Sequence, residues 1–125
     1  MGHKQFPGLS ALIWFPYGLY CFFAPTALAG SAGVTFTSAT GATELRAMYG
    51  GLQAALGLLA FAGMQRASLT RPALVTLFTV TAGLGTARLL GAFSDGGWSG
   101  YTLMGLVFEF GSVLWSGSLL RRPNA

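Results

Sequence analysis

Four extended apolar runs, separated by short polar or glycine-rich segments, set the pattern of this chain. Each run is about 22 residues long and carries few charges. Because an α-helix rises about 1.5 Å per residue, a run of this length can cross a hydrocarbon core of about 30 Å. The pattern therefore predicts an all-α integral membrane four-helix bundle, with spans at about 8–29, 43–64, 71–93 and 98–120.

The segments between the runs have the composition of loops and helix ends. Residues 30–42 are uncharged and rich in Gly, Ser, Thr and Ala, which predicts a loop. Thr43 is the predicted N-cap of the second span, and Glu44 follows it, where a negative charge suits the positive end of the helix dipole. The third span is predicted to begin at Arg71 and to end before a turn that contains Asp95.

The first run has a competing interpretation as a secretory signal peptide. A basic start precedes it, and the tripeptide Ala27-Leu28-Ala29 resembles a cleavage site. The run is nevertheless longer than the ~7–15 residues of a signal core and is aromatic throughout, so we favour a membrane span. Pro16 lacks an amide hydrogen and is expected to kink this helix.

Composition supports the membrane class. Only 8% of the residues are charged, against about 25% in a soluble domain, while 53% are hydrophobic. The mean hydropathy is +0.60. Four spans leave no room for a separate soluble domain, so residues 1–125 are predicted to form a single four-span domain. The one cysteine, Cys21, has no partner for an intrachain disulfide.

The net charge of +4 does not indicate nucleic-acid binding, because the basic residues form no continuous patch. Five of them cluster at one end of the predicted bundle: Lys4, Arg66, Arg71, Arg121 and Arg122. The loops at the other end contain no Lys or Arg. By the positive-inside rule, this distribution predicts that both termini lie in the cytoplasm (N-in/C-in).

Five ionisable residues are not explained as anchors at the basic end: Glu44, Arg46, Arg88, Asp95 and Glu109. At about 1.5 Å per residue, Glu109 lies roughly 16 Å from Trp98 along the helix axis. Glu109 is therefore close to the midplane of the bilayer. Gln53 lies about 15 Å into the second span, at a similar depth. Polar groups at this depth cost free energy, so we expect them to face the interior of the bundle.

Helical spacing gives each of the last three spans one face of small and polar residues, where membrane helices are expected to meet. We expect these faces to line a cavity that opens toward the outer side. Its candidate ligand-binding residues are Arg46, Tyr49, Gln53 and Arg88. Glu109 is the candidate catalytic residue of the same cavity. Tyr17 and Cys21 are candidates for the wall that the first span contributes.

Two roles compete for the charged residues. Arg88 with Glu109, and Arg46 with Glu44, could be structural ion pairs that fix the register of the helices, and Glu44 and Asp95 are assigned to this structural role. An unpaired Glu109 would instead be neutral at this depth and could act as a general acid or base. No span contains a histidine, and no Cys-x-x-Cys or phosphate-binding loop occurs, so no metal site and no resident cofactor are predicted.

Three features resemble a known family: TELRAMYGG at residues 43–51, ARLLGAFSDG at residues 87–96, and Glu109 in the last span. The combination is similar to that of DUF4345, a bacterial family of short membrane proteins without assigned function, and it covers essentially the whole chain. The resemblance implies a four-helix bundle, distantly DoxX-like, in the bacterial inner membrane. Some DoxX-like proteins are associated with quinone-linked oxidation, but a likeness of fold transfers no activity.

Three functions are open at this stage. The favoured hypothesis is that the cavity binds a lipophilic ligand with a polar head, such as a quinone or an isoprenoid. One alternative is a small membrane enzyme (an isomerase, a cyclase or an epoxide-opening hydrolase) with Glu109 as general acid/base. The other is a structural or accessory subunit of a membrane complex. Glycines on more than one helix face would also permit a homo-oligomer.

Overall fold

The computed structural model describes residues 2–122, and five helices make up most of this part of the chain. Their bounds are Gln5–Phe23 (α1), Ala27–Ala32 (α2), Ala39–Gln65 (α3), Ala67–Asp95 (α4) and Gly100–Leu120 (α5). All except α2 are long and apolar enough to cross a membrane. The predicted all-α, multi-pass membrane character is therefore confirmed.

The four long helices form two closely packed pairs. α1 lies along α3, and α4 lies along α5, while α3 and α4 meet next to the turn that joins them. α1 and α5 have little backbone contact. Aromatic side chains bridge the space between these two helices instead, with Phe6 against Trp115 and Trp14 against Phe108. The bundle is thus tight within each pair and more open between α1 and α5.

Glycines allow the close approach of α1 and α3. A Cβ atom on Gly57 would lie 2.5 Å from the backbone nitrogen of Phe15, and one on Gly50 would lie 2.7 Å from Cβ of Phe22. No side chain fits at these separations. Small residues serve this purpose at many membrane helix contacts, because lipid provides no hydrophobic force between helices and close packing must replace it.

Several helix ends differ from the sequence prediction. α1 ends at Phe23, because Ala24 leaves the helical region ahead of Pro25, as residues before proline tend to do. The short helix α2 then occupies the last residues of the predicted first span. α3 begins at Ala39 rather than Thr43, since the hydroxyl of Ser38 caps it by accepting a hydrogen bond from the amide of Gly41.

The start of α4 is also earlier than predicted, at Ala67 instead of Arg71. The hydroxyl of Thr70 donates hydrogen bonds to the carbonyl oxygens of Gly63 (2.6 Å) and Arg66 (3.2 Å). These bonds tie the first turn of α4 to the end of α3. The basic turn is consequently only one residue long between the two helices.

A π-helical segment interrupts α3 at Arg46–Gly51. A π turn inserts one extra residue into an α-helix, and such insertions occur frequently at functional sites. Because each residue of an α-helix advances by about 100°, the insertion rotates the residues before the segment relative to those after it. The regular spacing used for the second span does not allow for this rotation.

The alternating direction of the long helices places the start of α1 and the end of α5 at the same end as the α3–α4 turn. Arg71 donates a hydrogen bond from Nη2 to the carbonyl oxygen of Leu120 (3.3 Å), one of the carbonyls that a helix C-terminus leaves unpaired. The basic residues thus gather at one end of the bundle. Which side of the membrane this end faces remains a prediction.

Candidate functional site

A cavity of about 560 Å³ lies among the four long helices. This volume is within the range of about 300–1,000 Å³ that is usual for small-molecule sites. Its walls are mainly apolar, with Trp14 from α1, Leu56 from α3, Leu84 from α4 and Phe108 from α5. A small number of polar groups interrupt these walls, and they fall into three sets with different bonding.

The first set is an ion pair between α4 and α5. Arg88 donates from Nε and Nη2 to the two carboxylate oxygens of Glu109, both at 2.8 Å. The side chain of Glu109 is 4% exposed and that of Arg88 is 28% exposed. Two parallel charge-assisted bonds of this kind are among the stronger contacts in proteins. Glu109 is therefore held as a paired carboxylate, which is the structural alternative that the sequence left open.

Two glycines make room for this ion pair. A Cβ atom on Gly105 would lie 2.7 Å from Nε of Arg88, so the guanidinium occupies the space that a side chain would need. Gly85 lies next to Glu109, where a Cβ atom would be 3.3 Å from Cβ of that residue. The small-residue stripes predicted on the third and fourth spans thus surround the charged groups.

The second set is a pair of tyrosines across the open side of the bundle. The hydroxyls of Tyr17 on α1 and Tyr101 on α5 are 2.8 Å apart and share a hydrogen bond. The Tyr101 ring also lies beneath the Arg88 guanidinium, 5.9 Å from its central carbon. Tyr101 is not among the site residues predicted from the sequence. Its spacing of four and eight residues from Gly105 and Glu109, on one helix face, was the available signal.

The third set is on α3 and has no bonding partners. Tyr49 and Gln53 both line the cavity and are half-buried. No described residue forms a hydrogen bond with either side chain. The indole nitrogen of Trp14, on the neighbouring wall, is buried and also lacks a partner among residues 2–122. A buried polar atom without a partner is uncommon in proteins, and the Trp14 nitrogen is one, whereas the polar atoms of Tyr49 and Gln53 remain accessible.

Arg46, the remaining candidate ligand-binding residue, does not line the cavity. Its Nη1 donates to the carbonyl oxygen of Phe22 (2.5 Å), in the last turn of α1, and its guanidinium lies over the Phe22 ring. The π-helical segment that begins at Arg46 accounts for the difference, because it turns this residue away from the face of Tyr49 and Gln53. Arg46 instead pairs a carbonyl that the end of α1 leaves open.

The other two carboxylates are on the surface. Glu44 and Asp95 are exposed, and neither forms an ion pair with the residues that the structure describes. Asp95 accepts a hydrogen bond from the hydroxyl of Ser94 (3.2 Å). Cys21 is buried next to Tyr17 but does not reach the cavity. Across residues 2–122, no three His, Cys, Asp or Glu side chains come together as a metal site would require.

The family model described as Domain of unknown function (DUF4345) matches residues 4–120, so the chain belongs to this family. No curated protein and no solved structure matches the chain. The family assignment that the sequence motifs predicted is thereby confirmed, and it carries no assigned activity with it.

Proposed function

We propose that this DUF4345 protein binds a neutral lipophilic molecule with a hydrogen-bonding head, such as a quinone or an isoprenoid alcohol, among its four long helices. The observation that carries the proposal is the pair of unbonded polar side chains, Tyr49 and Gln53, in a cavity whose walls are mainly apolar and whose other tyrosines and charged side chains are bonded to one another. An unpaired polar group in an apolar environment costs free energy that a ligand can recover by bonding to it. Ligand sites typically combine apolar walls with a few such groups.

The ion pair favours a neutral head over an anionic one. The charge of Arg88 is already balanced by Glu109 through two hydrogen bonds. Because the pair is neutral as a whole, an incoming carboxylate or phosphate would find no uncompensated positive charge there, in an environment where an unpaired charge is costly. A carbonyl or hydroxyl oxygen has no such cost and can accept a hydrogen bond from the Tyr49 hydroxyl or the Gln53 amide.

The cavity is also accessible from the lipid. Met48, Leu52 and Met104 line it and are themselves exposed on the lipid-facing sides of their helices. An apolar molecule dissolved in the bilayer could therefore enter sideways without crossing water. This feature supports a ligand that resides in the membrane rather than one that arrives from solution.

Native mass spectrometry of the protein, extracted gently from the membrane in which it is expressed, tests the proposal. The wild-type protein should retain one neutral lipophilic molecule. A variant with Tyr49→Phe and Gln53→Leu should lose most of this retention, because both hydrogen-bonding groups are gone while the ion pair is intact. Tyr20→Phe is the matched control, since Tyr20 is exposed on α1 and does not line the cavity.

Two outcomes would reject ligand binding. One is a protein without bound molecules that also fails to take up an added benzoquinone lipid. The other is equal retention by the wild-type protein and the double variant, which would mean that the molecule binds elsewhere. A structural or accessory role would then explain the cavity better.

A location in the bacterial inner membrane, with the basic end inside, belongs to the same proposal. The gathering of Lys4, Arg66, Arg71 and Arg121 at one end of the bundle supports it. Single cysteines introduced at Ser68 and at Gly97, in a Cys21→Ser background, can be tested with a membrane-impermeant thiol reagent in intact cells. Labelling at Gly97 and protection at Ser68 are expected, and the reverse pattern would invert the orientation.

A further inference from the structure

A second depression, an apolar groove of about 230 Å³, follows the open side of the bundle between α1 and α5. We call it the α1–α5 groove. Leu9 and Ile13 form its wall on α1, and Phe108, Gly111 and Trp115 form its wall on α5. The lining residues of α5 span about 12 Å along the helix axis at about 1.5 Å per residue. Edge contact between Phe6 and Trp115 lies at the basic end of the groove.

The groove is next to the cavity. Ile13 and Phe108 line both of them, so these two side chains stand between the two spaces. Ile13 is exposed, and Phe108 makes a T-shaped ring contact with Trp14 across the gap. Because α1 and α5 have little backbone contact, nothing but side chains separates the cavity from the groove. The charged groups are in the cavity, whereas the groove is mainly apolar, with the two serines Ser10 and Ser112 in its lining.

We infer that the α1–α5 groove holds the apolar tail of the molecule whose polar head lies in the cavity, and that the ligand is therefore an elongated, single-tailed neutral lipid. This inference rests on the proposed function. The head would bond to Tyr49 and Gln53, and the tail would pass between Ile13 and Phe108 toward the basic end. A compact ligand would occupy only the cavity and leave the groove empty.

Gly111 gives the groove its depth. A Cβ atom on Gly111 would meet no heavy atom within 4 Å, so the position is open space rather than a helix contact. Glycine in the middle of a helix costs about 1 kcal/mol relative to alanine, and most such glycines in this bundle permit close packing. Gly111 permits none, and its lack of a side chain keeps the groove free.

Photochemical crosslinking tests where the tail lies. The probe is a benzoquinone with one alkyl tail that carries a diazirine near its end, added to the purified full-length protein in lipid nanodiscs. Illumination should label residues 107–115 of α5 and residues 9–13 of α1, and tryptic mass spectrometry locates the label. Gly111→Phe should abolish this labelling by filling the groove. Gly83→Phe is the matched control, because Gly83 is also exposed, in mid-helix and without neighbours within 4 Å.

The link between head and tail separates a bound ligand from ordinary surrounding lipid. Tyr49→Phe should reduce labelling in the groove although it is remote from the tail, whereas Tyr20→Phe should not. Leu9→Trp fills the groove from the opposite wall and is a second variant in case Gly111→Phe does not fold. It should abolish the labelling in the same way.

Each remaining outcome overturns the inference in a recognisable way. The tail lies elsewhere if labelling in the groove is no stronger than labelling around the lipid-facing Leu90. The same conclusion follows if labelling persists in the folded Gly111→Phe and Leu9→Trp variants. If native mass spectrometry still shows the bound probe in that case, the proposed function stands and only the groove is rejected. If the wild-type protein does not bind the probe at all, both proposals fail together.

Discussion

The two walls of the cavity treat their polar groups in opposite ways. On the wall formed by α4 and α5, Arg88 and Glu109 satisfy each other with two hydrogen bonds, and Gly85 and Gly105 leave space for them. On the α3 wall, Tyr49 and Gln53 have no bonding partner among the described residues. The two walls lie at similar depth and in the same apolar surroundings. The difference in bonding is therefore the most informative feature of the site.

Two buried groups that bond to each other and a polar group without a hydrogen-bond partner imply different roles. A paired Arg88 and Glu109 fix the position of α4 relative to α5 without a ligand, and their net charge is zero. Tyr49 and Gln53 form no hydrogen bond with another described residue, so their donors and acceptors are open to a molecule that enters the cavity. The ion pair joins two walls of the cavity, and under the proposed function the α3 wall is the one that would bond to a ligand.

The backbone geometry also differs between these two walls. α4 and α5 are α-helical along the whole lengths given above, whereas α3 contains the π-helical segment Arg46–Gly51. This segment includes Tyr49 and ends just before Gln53. An inserted residue costs helix regularity, and it aims these two side chains at the cavity while Arg46 is turned to the end of α1. The helix with the π-helical segment is thus the one that carries Tyr49 and Gln53.

The strongest test of the comparison is to break the ion pair. Arg88→Met leaves the Glu109 carboxylate buried and unpaired, and it should lower the free energy of unfolding by about 3–5 kcal/mol. Removing both charges, in Arg88→Met with Glu109→Leu, should restore most of this loss. Denaturant titration in detergent micelles measures both. A double variant as unstable as the single one would show that the pair is not the unit of stability.

A smaller effect is expected from crowding the same pair. Gly105→Ala places a Cβ atom where the Arg88 guanidinium lies, and overpacking of this kind costs roughly 1–3 kcal/mol of unfolding free energy. Gly111→Ala is the control, since it adds the same atom in open space and should cause no loss. Equal melting temperatures for the two variants in micelles would mean that the guanidinium can move without cost.

The hydrogen bond between Tyr17 and Tyr101 should contribute less to the free energy of unfolding than the ion pair or the packing at Gly105. Tyr17→Phe removes the hydrogen bond to Tyr101, and bonds between membrane helices average about 0.6 kcal/mol. The expected loss of unfolding free energy is of this size, with Tyr20→Phe unchanged as the exposed control. A loss as large as that of Arg88→Met would place this pair, rather than the charges, at the centre of the site.

The smallest predicted change has the opposite sign. Gln53→Leu removes a half-buried polar group without a partner, and it should raise the free energy of unfolding of the ligand-free protein by about 0.5 kcal/mol. The same variant should bind an added benzoquinone lipid less well. Comparison with Glu109→Leu, which should destabilise, sharpens the contrast between the walls. Destabilisation by Gln53→Leu would instead reveal a bonded partner for Gln53.

The regular helices could be predicted in detail because their spacing stays constant. On α4, Thr81, Gly85 and Ala92 share one helix face and are all buried, and on α5 the same is true of Glu109 and Ser112. Once a helix is long and uninterrupted, one angle of 100° per residue determines which residues share a face. The Arg88–Glu109 pair followed from this rule, as one of the two roles considered for these residues.

The site on α3 could be predicted only in part. Tyr49 and Gln53 were assigned to the cavity and line it, but Arg46 was assigned with them and does not. Its actual partner, the carbonyl oxygen of Phe22, is on another helix and 24 residues away in sequence. No local pattern in the sequence marks a π turn, since the residues that form it also fit a regular helix.

The sequence by itself determined that this is an all-helical protein with four helices long and apolar enough to cross a membrane, because the length and apolarity of each run do not depend on its neighbours. It also determined which polar residues had to be buried, since lipid cannot accommodate them. Only the tertiary structure decided which of these groups bond to one another and which remain open in the cavity. Which polar groups form hydrogen bonds depends on the distances between the helices. Those distances in turn depend on the packing of glycines such as Gly50 and Gly57 against α1.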